Sequence, residues 1–149
     1  AKKNNFDLKF IKISELINRQ ITDWITNKVI DFIRKKKIKL SNKKILILGV
    51  AYKRNIDDIR ESPALKIMEK LKMKGYNFDY SDPYVKKIVF NKKTKKSIKI
   101  TKKILKKYPI TIIVTDHDKF DYKLISREAK FIFDTRNKVK NRSKNYFKL

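Results

Sequence analysis

Between Phe10 and Arg34 the apolar residues recur every three or four positions: Ile13, Leu16, Ile17, Ile21, Trp24, Ile25, Val29, Phe32 and Ile33. That spacing, uninterrupted by Gly or Pro, predicts one long amphipathic helix. Lys35, Lys36 and Lys37 close it, a charge sign that suits a helix C-terminus. Its wide apolar face leaves two uses open: packing on its own domain, or meeting another domain or subunit. The pattern then changes. Ile45-Leu46-Ile47-Leu48 is a continuous apolar run ended by Gly49, as in a central parallel strand buried on both faces. Ser62-Pro63 marks a helix start, because Ser caps free N–H groups and Pro suits the first helical position. Ala64, Leu65, Ile67, Met68 and Leu71 form the buried side of that helix, and Gly75 its stop. Tyr76 to Tyr80 reads as a second strand, ended by Ser81-Asp82-Pro83. Residues 86–99 are Lys-rich and read as loop or edge structure, followed by a short helix from Thr101 to Tyr108. Ile110 to Val114 is a β-branched third strand. A short helix covers about Tyr122 to Ala129, and Phe131 to Phe133 is a fourth strand. Residues 1–9 read as polar and frayed, and the tail after Lys140 as polar.

Strands alternating with helices predict an α/β domain with a mainly parallel sheet, preceded by the long helix. Such sheets bind ligands beyond the C-terminal ends of their strands. The polar clusters of this chain fall there: Tyr52-Lys53, Asp82, Asp116-His117, and Asp134 with Arg136, one cluster after each strand. The first strand-to-helix connection, Gly49 to Pro63, lacks a G-x-G-x-x-G turn, and the chain has only two Gly. It therefore cannot build a glycine-lined pyrophosphate cradle. It does offer Lys53 and Arg60 as cations, so phosphate binding by side chains is open. Equally open is a bracing role for Asp58 and Arg60. His117, the single histidine, stands between Asp116 and Asp118. It could serve as a general base, but a role in shaping the strand-to-helix turn is the expectation.

At 149 residues and 41% hydrophobic, the chain fits one domain with a real core. It has no Cys, which excludes disulfides, thiolate metal sites and a cysteine nucleophile. No signal peptide opens it and no apolar run is long enough to span a bilayer, so a cytoplasmic location is expected. The net charge of +26 ordinarily points to nucleic acid or an acidic membrane. Only seven of the 41 basic residues are Arg, however, and the lysines are scattered over every segment. Abundant Lys, Asn and Ile with scarce Gly is the profile of an AT-rich coding sequence. No specific nucleic-acid, membrane or metal partner is therefore expected. A basic nucleic-acid-binding α/β domain remains the alternative, and a purely dimerising piece built on the long helix a third.

Gly49-Val50-Ala51-Tyr52-Lys53, Asp57-Asp58, Arg60-Glu61-Ser62-Pro63-Ala64 together form a signature. It resembles the C-terminal UDP-binding domain of the UDP-glucose/GDP-mannose dehydrogenase family. The resemblance continues in order through Tyr80-Ser81-Asp82-Pro83-Tyr84, Thr115-Asp116-His117-Asp118-Lys119-Phe120 and Phe133-Asp134-Thr135-Arg136. Upstream, Phe10 to Gln20 is similar to the long helix joining the two halves of these enzymes. About residues 8–138 are covered. The resemblance implies a Rossmann-like domain over 41–141, the end of a central interdomain or dimerisation helix over 1–40, and a polar tail over 142–149. It implies a UDP-sugar as ligand, with UDP-N-acetylglucosamine favoured over UDP-glucose, and oxidation at C6 to the uronate with two NAD. By position, Tyr52, Lys53 and Arg136 match the family's substrate-binding residues, and Arg60 matches an arginine that reaches toward NAD. The family's NAD fingerprint and nucleophilic Cys are absent from this chain. The expectation is a portion of a longer enzyme, inactive alone and forming a homodimer or higher homo-oligomer through the first helix.

Overall fold

The computed structural model describes residues 9–40, 44–140 and 145–149. Of the frayed start expected over residues 1–9, Lys9 is already helical and the rest lies outside the described residues, as do the expected domain edges near 41 and 141. The first helix, α1, runs Lys9–Lys35 and ends in Arg34 and Lys35. Strand β1, Ile45–Leu48, is buried at every position, as a central strand must be when both faces are covered. Helix α2, Pro63–Met73, starts at Ser62, whose hydroxyl accepts from the Ala64 amide. It stops at Gly75 (φ 83), where the Gly75 and Tyr76 amides return to the carbonyls of Lys72 and Leu71, a Schellman closure. The next strand, β2, is Phe78–Ser81.

For the Lys-rich stretch, read as loop or edge structure, the structure shows strands at the margin of the fold. β3, Lys87–Phe90, and β4, Lys93–Lys96, form an antiparallel hairpin separate from the main sheet. Asn91 and Lys92 both take positive φ, the geometry of a tight hairpin turn. The hairpin is held because Ile88 and Phe90 alternate inward, Phe90 meeting Phe78 edge-on at 5.1 Å. Helix α3, Lys102–Lys107, is capped by Thr101, and strand β5 follows at Ile110–Ile113. Helix α4, Tyr122–Glu128, is capped by Asp121, and strand β6 is Ile132–Asp134. The tail expected to be merely polar ends in a strand, β7, Tyr146–Lys148. Phe147 anchors it, stacking on Phe133 at 5.1 Å and meeting Phe32 of α1 at 4.6 Å.

The main sheet has the order β2-β1-β5-β6-β7, and all its pairs are parallel. Alternating side chains feed two cores. Ile45, Ile47, Ile110, Ile112 and Phe133 pack with α1 and α2. Leu46, Leu48, Ile113 and Ile132 pack with Leu105 and Ile125 of α3 and α4. Helix α1 contributes to the first core only through its second half, where Ile25, Val29, Ile30 and Ile33 are buried. In its first half Ile11, Ile13, Leu16, Ile17 and Ile21 are about half exposed, and so is Trp24. Of the two uses left open for its apolar face, packing on its own domain is seen over the second half, while the first half is bare. No helix among the described residues is long and apolar enough to cross a membrane.

Candidate functional site

The chain reverses its direction of sheet growth between β1 and β5, so the crevice above their C-terminal ends is where an open parallel sheet receives ligands. Here the crevice is filled by protein. Asp82, after β2, sends a fully buried carboxylate into it. One oxygen accepts from the Val50 amide (2.7 Å), the Ala51 amide (3.2 Å) and His117 Nε2 (2.9 Å). The other accepts from the amides of Tyr84 (2.8 Å) and Val85 (2.9 Å). Burial alone pushes the carboxyl up, but hydrogen bonds from His117 and from the Val85, Val50 and Tyr84 amides outweigh it and hold it below the ordinary carboxylate range. His117 Nδ1 accepts from the Asn55 amide at 2.9 Å, so the ring proton sits on Nε2, facing Asp82. With both nitrogens engaged, His117 shapes the turn.

The first connection is bound to the third by the same device. Asn55, at φ 62, exchanges hydrogen bonds with Asp118: its amide nitrogen donates to the carboxylate (2.7 Å) and its oxygen accepts from the Asp118 amide (3.0 Å). Arg54 pairs with the same carboxylate. These contacts, from Asn55 and then Arg54, hold Asp118 below its ordinary range. Thr115 Oγ1 donates to the Ala51 carbonyl at 2.7 Å. Gly49 must be glycine: its φ is +78, and a Cβ there would stand 2.2 Å from the Thr115 carbonyl oxygen. Its role is close approach of two loops.

This braced edge presents Tyr52 and Lys53 outward. The Tyr52 amide donates to the Asp58 carbonyl at 2.7 Å, and its ring is 47% exposed with Lys53 Nζ 5.6 Å from the centroid. Across from them Arg136 follows β6. Its amide donates to Asp134 (2.8 Å), and its Nε donates to Asp116 (3.0 Å). Asp134 is itself fixed by the Lys138 and Val139 amides and by the Tyr146 hydroxyl. With Nε taken by Asp116, the outer nitrogens of the Arg136 fork remain for a ligand. Tyr52, Lys53 and Arg136 line one cleft of about 980 Å3, closed by Asn18 and Thr22 of α1 and by Pro63 at the start of α2.

Arg60, the fourth residue singled out, stands outside that cleft. It is mostly exposed and grips Asp58 through Nε (3.0 Å) and an outer nitrogen (2.8 Å), holding that carboxyl down to about 2. The bracing role left open for this pair is thus the geometry seen. Two cleft residues, Asn18 and Thr22, and the contact made by Asp116 went unread in the sequence. Asn18 and Thr22 line the cleft only because α1 crosses this edge, which no local signal states. Asp116 orients Arg136 across 20 residues, and only its place after β5 pointed to it.

Residues 46–141 match the UDP binding domain of the UDP-glucose/GDP-mannose dehydrogenase family. The chain belongs to this family. Among curated relatives of this dehydrogenase family, a UDP-N-acetyl-D-mannosamine dehydrogenase of Methanocaldococcus jannaschii is 32% identical over 108 residues, 67% of this chain and 24% of the relative. One from Pyrococcus horikoshii is 31% identical over 139 residues, 90% of this chain and 31% of the relative. Among solved structures, the P. horikoshii UDP-D-ManNAc dehydrogenase superposes with a TM-score of 0.74 at 26% identity, covering 99% of this chain and 34% of that one. The UDP-N-acetyl-mannosamine dehydrogenase of Staphylococcus aureus gives 0.72 at 26% identity, covering 97% and 34%. The chain thus spans about a third or less of the length of these dehydrogenases. They are named for N-acetylmannosamine, so the expected preference for UDP-N-acetylglucosamine finds no counterpart in them.

Proposed function

We propose that this chain is the UDP-sugar-binding portion of a nucleotide-sugar 6-dehydrogenase, with Lys53 and Arg136 on the diphosphate and Tyr52 beside the nucleotide. The observation that carries it is the meeting of these three residues on one cleft of a UDP-binding domain. Lys53 supplies a mobile point charge, having no ion pair among the described residues. Arg136 supplies a planar fork already aimed by Asp116. A UDP-N-acetylhexosamine is the substrate class, with the mannosamine epimer favoured by the names of the relatives.

NAD does not fit this chain as a primary site. Gly49 faces Thr115, and the switch-point crevice is occupied by Asp82 and His117. The cofactor and a cysteine nucleophile are assigned to the part of the enzyme beyond these residues, with Arg60 at the cofactor's edge and the isolated chain inactive. Residues 1–40 then end an interdomain helix, and the bare half of α1 meets a second copy.

Calorimetry with UDP on the wild type, Lys53→Ala and Arg136→Ala tests the site. Each charge-assisted bond is worth about 1.5–3 kcal/mol, so each substitution is expected to weaken binding about tenfold or more. Inorganic pyrophosphate and a mixed-sequence oligonucleotide are the controls for bulk charge. Equal affinity for UDP and pyrophosphate, with neither substitution changing it, refutes the assignment. Preference for the oligonucleotide revives nucleic-acid binding.

A further inference from the structure

The geometry points to a second ligand site in this domain, for a small phosphomonoester that carries a flat apolar group. It lies in a cleft of about 390 Å3 between the end of the β3–β4 hairpin and the segment entering α4. That volume falls within the range of small-molecule sites. None of its lining residues lines the cleft that holds Tyr52 and Arg136. The site therefore stands or falls independently of the UDP assignment.

Two kinds of surface meet there. One wall is apolar: Ile98 and Ile100 after the hairpin, and Phe120 and Leu124 from the α4 side. Phe120 is almost fully buried, and the other three are partly exposed. A flat ring laid on this wall removes apolar surface from water on both partners. The remaining lining carries Lys86, Lys99 and Lys119, all exposed. Lys86 and Lys99 form no ion pair among the described residues, and the ammonium of Lys119 sits 4.5 Å over the Tyr84 ring.

Two carboxylates border the cleft, one buried and one capping α4. Asp82 is saturated by five donors on the inner side, and Asp121 accepts from the Leu124 amide at 2.9 Å. Three lysines against two carboxylates leave the lining with a net positive charge, and the exposed lysines are the groups free to move onto a ligand. Lysine serves phosphate as a point charge and needs no planar partner, which favours a terminal phosphate over a carboxylate fork. The cleft lies beside the filled switch-point crevice, along residues that follow β2 and β5. The floor is firm: Ser97 exchanges hydrogen bonds with the Asp82 main chain at 2.8 and 2.9 Å.

The test is a nitrogen–proton NMR titration of the whole chain with AMP, with adenosine and inorganic phosphate run separately. AMP is expected to give saturable shifts at residues 97–100 and 119–124, with at least tenfold higher affinity than inorganic phosphate. The double variant Lys99→Glu/Lys119→Glu, both exposed positions, is expected to weaken AMP at least tenfold while keeping the wild-type circular dichroism and UDP affinity. Lys53→Ala is expected to leave AMP binding unchanged. Three results overturn the proposal: phosphate matching AMP, AMP shifts centred on Tyr52 and Lys53, or a double variant that binds AMP like the wild type.

Discussion

Asp82 shows how much of this edge depends on a single carboxylate. Five donors from three loops converge on it in a site without water access. Asp82→Ala leaves all five unpaired, and a loss of about 3–5 kcal/mol is expected, read by urea denaturation. The acid dependence has a definite sign. The folded-state carboxyl titrates below its unfolded value of about 4. Its stabilisation is therefore complete above that pH and is lost as pH falls through the lower folded value. The wild type should lose stability over that acid window more steeply than Asp82→Ala does. Thr111 is the opposite case. Its hydroxyl is buried in β5 with no partner among the described residues. Thr111→Val keeps the shape and removes the orphan, so a gain of about 1 kcal/mol is expected in the same denaturation experiment. Of the cleft proposed as the site, Tyr52, Lys53 and Arg136 were named from the sequence because a motif carries them. The Asp116 contact was not, since a pairing across two strands leaves no trace in local spacing.

At the scale of elements, the buried strands and the helices were plain in the sequence. β1 is a continuous apolar run, β5 a β-branched one interrupted by Thr111, and Ser62 caps where the sequence places it; the caps Thr101 and Asp121 come from the structure. The hairpin, read only as loop or edge structure, and β7, not read at all, were hard to see for a shared reason. Each rests on one or two aromatic anchors, Phe90 in the first and Phe147 in the second, inside stretches dominated by lysine or other polar residues. Tertiary contact there overrides composition. Helix α1 was read as amphipathic throughout, yet only contact with the sheet divides it into a buried and a bare half. Six large apolar side chains on one surface helix exceed what a monomer ordinarily leaves in water. The chain is expected to self-associate through them. Sedimentation should show a concentration-dependent dimer, Trp24 emission should shift to the blue with it, and Ile17→Glu should return the monomer.

The whole molecule carries 41 basic against 15 acidic residues, and that excess acts on every encounter it makes. Two copies meeting through α1 bring two charges of +26 together, so their repulsion opposes the apolar contact. A nucleotide diphosphate approaching Lys53 and Arg136 is drawn by the same field. Raising ionic strength shortens the reach of both effects, to about 10 Å at 0.1 M. Salt should thus tighten the contact between copies and loosen the hold on the nucleotide. The lysine-rich surface makes ionic strength a selector between assembly and ligand capture, with opposite slopes readable in a single series of buffers.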